Sequence, residues 1–201
     1  MRIYVSRPLP EACLARLGEL GAVTLDGGRA GPPSAEELLR ELPGHDVAVV
    51  QLTDPLGEAV LRAACPRLRL VSQVAVGLDN IDLAVCRELG VRVAHTPGVL
   101  TDATADLTMA LLLAAARRIP EADRYVREGH WDVWALDLLC GMELRGATLG
   151  IVGKGRIGTA VARRAEAFGM EVIHHSRSSG RPLAELLARS QVRVPRLGLP
   201  D

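Results

Sequence analysis

The feature that most constrains this chain is a regular alternation of short, mainly apolar segments with stretches of helical period. Residues 3–6, 22–25, 47–50, 70–74 and 91–94 read as strands, and helices are expected over 10–20, from Ser34, over 57–64 and over 82–89. A run such as Val47-Ala48-Val49-Val50 has no polar face, so both of its sides must be covered. Parallel strands with helices on either side meet that demand. Residues 1–95 are therefore predicted to form a complete five-stranded, doubly wound α/β domain. Between them, 26–33 is rich in Gly and Pro and reads as a loop. Ser34 with Glu37 three residues on has the spacing of a capping box, in which each side chain satisfies a free amide of the helix start.

From Thr101 or Asp102 a long helix is expected to run to about Arg117. Its segment 107–116 is apolar on nearly every side, which predicts burial between larger masses. At about 1.5 Å per residue it reaches about 24 Å, enough to bridge two domains. Residues 120–128 are expected to continue helically, and 129–146 to be irregular, a surface loop carrying two partly buried indoles, Trp131 and Trp134. A second α/β unit then opens with a strand at 148–152, a helix at 156–168, a strand at 171–175 and a helix at 182–188. The predicted organisation is a domain at 1–95, a connecting segment at 96–146 and an incomplete domain at 147–201.

Composition excludes several classes. The 201 residues carry 24 basic and 24 acidic side chains, so the net charge is zero, which argues against a general nucleic-acid binder. Two Trp, two Tyr and one Phe leave little material for base stacking. The longest apolar run is about ten residues, half of what a membrane span needs. Cys13, Cys65, Cys86 and Cys140 are far apart and share no metal-like spacing with the histidines, so neither a metal site nor a disulfide framework is expected. With no apolar leader after Met1, the chain reads as cytoplasmic.

The strongest chemical signal is Gly153-Lys154-Gly155-Arg156-Ile157-Gly158, directly after the strand and opening the next helix. In that context Gly153 allows a tight turn, Gly155 lets backbone approach a pyrophosphate, and Gly158 permits close packing of helix on strand. The helix start offers unpaired amides and partial positive charge to phosphates. Sites specific for NAD place Asp or Glu about 20 residues on, where this chain has Ser176-Arg177-Ser178. An arginine between two hydroxyls suits a 2′-phosphate, which predicts NADP(H) over NAD(H).

Three ordered segments then carry a resemblance: Leu52-Thr53-Asp54, Ser72 to Asp82, and Thr96 to Asp106. Together with Arg145-Gly146 and Ser176-Arg177-Ser178 they resemble the D-2-hydroxy-acid dehydrogenases, and within them the glyoxylate/hydroxypyruvate reductase branch. The resemblance spans roughly residues 1–190. It implies a flavodoxin-like doubly wound substrate domain followed by a Rossmann dinucleotide domain, with the active site in the cleft between them. It implies that Val76 and Gly77 offer backbone amides to a substrate carboxylate, with Leu52 beside them. Thr104 would face the cofactor, or only bond back to its own helix. The segment with Trp131 and Trp134 would be a dimer-contact arm in a homodimer. Lys154 stands where the family has an apolar residue, and either adds charge near the pyrophosphate or points to solvent.

The implied reaction is reduction of a small 2-keto acid such as glyoxylate or hydroxypyruvate. Its Arg, Glu and His come, in the family, from the second half of the dinucleotide domain, so no catalytic residue is assigned within this chain. His174 and His175 lie at the adenosine end and read as structural. After Ser190 the run Gln191 to Asp201 has two prolines and two arginines, a poor core strand. The expectation is a truncated, inactive chain with an out-of-frame tail near 191–201. The alternative is a non-catalytic nucleotide-binding or dimerising module.

Overall fold

The computed structural model describes residues 1–25, 31–176 and 179–190. The chain divides into two compact units, Met1–Gly98 and Val99–Asp201. In the first, five strands alternate with four helices: β1 (Arg2–Val5), α1 (Glu11–Leu20), β2 (Ala22–Leu25), α2 (Ala35–Glu41), β3 (Val47–Val50), α3 (Glu58–Ala64), β4 (Leu70–Gln73), α4 (Leu83–Glu88) and β5 (Arg92–Ala94). Every pairing is parallel, and the order across the sheet is β2-β1-β3-β4-β5, the flavodoxin-like order.

The apolar strands are covered on both faces. On one face Tyr4, Ala48, Val50 and Val71 pack with Leu38, Leu42 and Leu61 from α2, its C-terminal end and α3. On the other, Ile3, Val5 and Val49 meet Leu14 and Leu17 of α1. The capping box forms as its spacing predicts: the Ser34 hydroxyl accepts from the Glu37 amide, and the Glu37 carboxylate accepts from the Ser34 amide. Element ends differ from expectation by a residue or so. The Ser6 hydroxyl leaves β1 to donate to Asp54, and the Val91 amide closes α4 on Cys86 rather than joining the ladder.

The second unit holds α5 (Thr101–Ala116), α6 (Ile119–Arg127), β6 (Thr148–Val152), α7 (Arg156–Ala167), β7 (Glu171–His175) and α8 (Leu183–Arg189). The strands β6 and β7 pair in parallel, with α7 as their crossover. The core of this unit joins Ala105, Met109 and Leu112 of α5 to Ala160, Val161 and Ala165 of α7 and to Leu149 and Ile151 of β6. Arg164 bonds Asp106 at 2.6 Å and Asp102 at 3.1 Å, tying α7 to α5.

Two expectations are corrected by the structure. The helix α5 is not buried on all sides: it inserts one stripe against α7 and leaves Leu107 and Leu111 exposed, because apolar character all round does not supply a second neighbour. The ranges expected for the two helices hold to within a residue, and between them Arg118 adopts the left-handed region at φ 54° and separates α5 from α6. Pro120 occupies the first turn of α6, where its missing amide costs nothing. Nor are the two indoles partly buried, for Trp131 is 61% and Trp134 74% exposed. Residues 26–30 of the predicted loop, Arg177, Ser178 and the run 191–201 lie outside the described residues. No described helix is long and apolar enough to cross a membrane.

Candidate functional site

The first candidate site lies at the carboxyl ends of β3, β4 and β5. In doubly wound sheets ligands bind at these ends, near the point where strand order reverses, here between β1 and β3. Asp54 is fully buried at that point. Its carboxylate lies 3.0 Å from the Arg7 guanidinium and accepts from the Ser6 hydroxyl and, at 2.6 Å, from the Gln51 amide. These bonds fold residues 51–54 into a tight turn that presents Leu52 at the surface, 56% exposed.

Beside Leu52 sits the loop after β4. A Cβ built on Gly77 would come 3.3 Å from the Leu52 side chain, so the three predicted substrate-binding residues Leu52, Val76 and Gly77 are brought together. Gln73, buried at the end of β4, donates from Nε2 to the Gly77 carbonyl at 3.1 Å and to Asn80 Oδ1 at 2.8 Å. Asn80 in turn donates to the carbonyls of Gln51 and Asp54, linking the two loops. After β5, His95 Nδ1 lies 2.9 Å from the Val76 carbonyl. Among the described residues the amides of Val76 and Gly77 have no hydrogen-bond partner.

The second candidate site is the turn between β6 and α7. Gly153 takes φ +91°, in the left-handed region that favours glycine. A Cβ on Gly158 would press into the Gly153 carbonyl, while the position of a Cβ on Gly155 is open space. Gly155 caps α7 with no side chain, and the first amide to bond within the helix is that of Thr159, on the Gly155 carbonyl. The amides of Arg156, Ile157 and Gly158 thus remain for a ligand, and a pyrophosphate fits this turn on backbone alone. Lys154 is exposed. Arg156 and Arg163, with Thr101 and Thr159, line an open cavity of about 430 Å³ between the starts of α5 and α7. The pKa of Arg164 beneath it is raised above its usual value, first by its hydrogen bond to Asp102 and then by that to Asp106.

The Thr104 hydroxyl does not bond back to its own helix; Thr108 does so instead, donating to the Thr104 carbonyl at 2.7 Å. Ser176, after β7, bonds Ser179 through its hydroxyl. His175 Nδ1 contacts the Arg181 carbonyl at 2.8 Å, a local tie at the end of that strand. Gln73, Asn80 and Asp54 stand in the segments that carry the resemblance but were expected to play no part of their own, and His95 was not singled out. The available signal was their position, since each is a polar residue at or just beyond the carboxyl end of a strand or in the loop that follows.

The chain matches the family described as "D-isomer specific 2-hydroxyacid dehydrogenase, catalytic domain" over residues 3–190. This chain belongs to the D-isomer specific 2-hydroxyacid dehydrogenases, an NAD(P)-dependent enzyme family. It is 49% identical over 175 residues to a glyoxylate reductase of Korarchaeum cryptofilum, covering 87% of this chain and 52% of that one. With a glyoxylate reductase of Aeropyrum pernix it shares 45% over 190 residues, covering 92% and 56%. Among solved structures, a protein of Thermus thermophilus superposes with a TM-score of 0.85 at 45% identity, covering 94% of this chain and 62% of that one. An acyclic imino acid reductase, solved in complex with NADPH and D-Arg, superposes at 0.78 with 26% identity, covering 98% and 66%. The chain spans about half the length of the curated relatives it matches.

Proposed function

We propose that this chain carries the carboxylate-binding loop and the pyrophosphate turn of an NADPH-dependent reductase of small 2-keto acids, with glyoxylate or hydroxypyruvate as substrate. The observation that carries the reading is the turn from Gly153 to Gly158, with three amides at the head of α7 that are unpaired among the described residues. The cofactor, when bound, supplies the reducing equivalent. The chain's own residues bind and orient. The amides of Arg156, Ile157 and Gly158 hold phosphate oxygens, and those of Val76 and Gly77 hold the substrate carboxylate. Leu52 shields that carboxylate from water, which strengthens both hydrogen bonds. Preference for NADPH is supported by the absence of an acid in Ser176-Arg177-Ser178 and by the NADPH bound to the imino acid reductase.

The resemblance puts the Arg, Glu and His of the chemistry in the part of the family's length that this chain does not span. We therefore propose that the 201-residue polypeptide alone binds NADPH without turning glyoxylate over. Fluorescence titration tests the first half: NADPH should bind more tightly than NADH, and Arg177→Ala should erase the difference. Equal affinities in the unaltered chain would refute the preference. NADPH oxidation on adding glyoxylate would refute the lack of turnover.

A homodimer in a reducing cytoplasm completes the reading. Ala122, Tyr125 and Val126 of α6 with Trp131, Trp134 and Leu138 line an apolar cavity of about 260 Å³, and Trp134 stands largely in solvent. Apolar surface of this kind marks association sites. Light scattering should give twice the chain mass, and Trp134→Glu should halve it.

A further inference from the structure

The unpaired amide of Gly77 belongs to the Val76–Gly77 peptide unit, whose carbonyl is held by His95, a residue with no assigned role, while Gln73 holds the carbonyl of the peptide unit that follows. We infer that His95 is a positioning residue, whose Nδ1–H fixes the plane of the Val76–Gly77 peptide and thereby aims the Gly77 amide at the substrate carboxylate. The inference rests on the proposal that this loop receives that carboxylate.

In a trans peptide the carbonyl and the amide of the shared plane point in opposite directions, so fixing one aims the other. The Val76 carbonyl and the Gly77 amide share that plane. A carbonyl only accepts, so at 2.9 Å His95 Nδ1 must be the donor. Both the neutral Nδ1–H tautomer and the imidazolium can donate there. His95 is itself held in register, because the next residue, Thr96, donates its amide to the Ala75 carbonyl at 2.9 Å. On the far side of Gly77, Gln73 takes the glycine carbonyl at 3.1 Å. Gln73 is buried and tied to Asn80, so that anchor is rigid. Glycine without such ties would sample many orientations, and an amide that must be ordered on binding gives up affinity. With both carbonyls engaged, the Gly77 amide is left pointing away from that of Val76 and free of any partner among the described residues.

His95 is exposed, so its replacement leaves the core intact. The test uses the 15N-labelled 201-residue chain, with oxamate as a non-reducible mimic of a 2-keto acid. His95→Ala removes the donor, while His95→Asn keeps an N–H at nearly the same place. In the unaltered chain the Gly77 amide should have an order parameter near about 0.85, falling below about 0.6 in His95→Ala and recovering in His95→Asn. Oxamate should shift the Gly77 amide, with affinity about two- to tenfold weaker in His95→Ala and restored in His95→Asn. An unchanged order parameter in His95→Ala overturns the positioning role whether or not oxamate binds. If the order parameter falls as expected but oxamate moves no amide of the loop in the unaltered chain, the carboxylate reading is what fails.

Discussion

Asp46 shows how a single surface residue ties this sheet together. It precedes β3, its carboxylate accepts from the Arg2 amide at 2.6 Å, and its backbone bonds Arg2 on one side and Arg69 on the other. The Arg2 amide, and then the Arg67 guanidinium at 3.2 Å, hold its carboxyl below the ordinary aspartate value. A carboxyl with a depressed folded pKa contributes stability above its unfolded pKa and loses it as pH falls through the folded one. Urea midpoints should therefore drop from about pH 4 downward. Asp46→Asn should be less stable at neutral pH and should drop less steeply over that acid window; parallel curves would refute the assignment. The four cysteines divide by environment. Burial pushes the Cys86 thiol up, with Asp82 adding to it, whereas Cys13 and Cys140 are exposed. A thiol reagent should label Cys13 and Cys140 first in the native chain.

At the scale of elements, the strands were legible because each is a short segment of three to five residues centred on apolar side chains, and no half-exposed alternative accommodates Val47-Ala48-Val49-Val50. The helix start at Ser34 was legible for a local reason, since both partners of its capping box lie within one turn. The break at Arg118 was marked in the sequence only by Pro120, which suits a helix start as well as it interrupts one. The network joining Ser6 and Arg7 to Asp54 could not be read, because its partners are nearly fifty residues apart and meet only when β1 and β3 pair. The same holds for His95 and Val76, nineteen residues apart. The glycine turn was legible because its demands are conformational and local, as the φ of Gly153 illustrates. The helix α3 offers a direct check on packing. Leu61 is fully buried in the cluster beneath it, so Leu61→Ala should cost about 2–5 kcal/mol in chemical denaturation. A loss under about 1 kcal/mol would mean the cluster closes around the gap.

At the scale of the whole molecule, the two units differ in the size of the sheet that the described residues form. The first has five strands and buries them on both faces with its own helices. Among the described residues the second pairs two strands, and Val152, Phe168 and Leu187 are exposed on it. Exposed apolar surface and open strand edges invite association. Residues 1–98 expressed alone should therefore fold, with dispersed amide resonances and a cooperative denaturant transition. Residues 99–201 expressed alone should bind an apolar dye and self-associate. A disordered 1–98 fragment would show that its core is not self-sufficient.

The contiguity of that first core bears on synthesis. Among the described residues, all the side chains of its clusters come from the first 98, and no strand of its sheet waits for a later segment. Domains fold as units while the chain is still being made, the amino-terminal one first. The leading half can thus clear the ribosomal tunnel and close its sheet before the glycine turn has been translated. The 76–77 peptide and the histidine that orients it would then be in place on a nascent chain that has not yet acquired the means to hold a nucleotide.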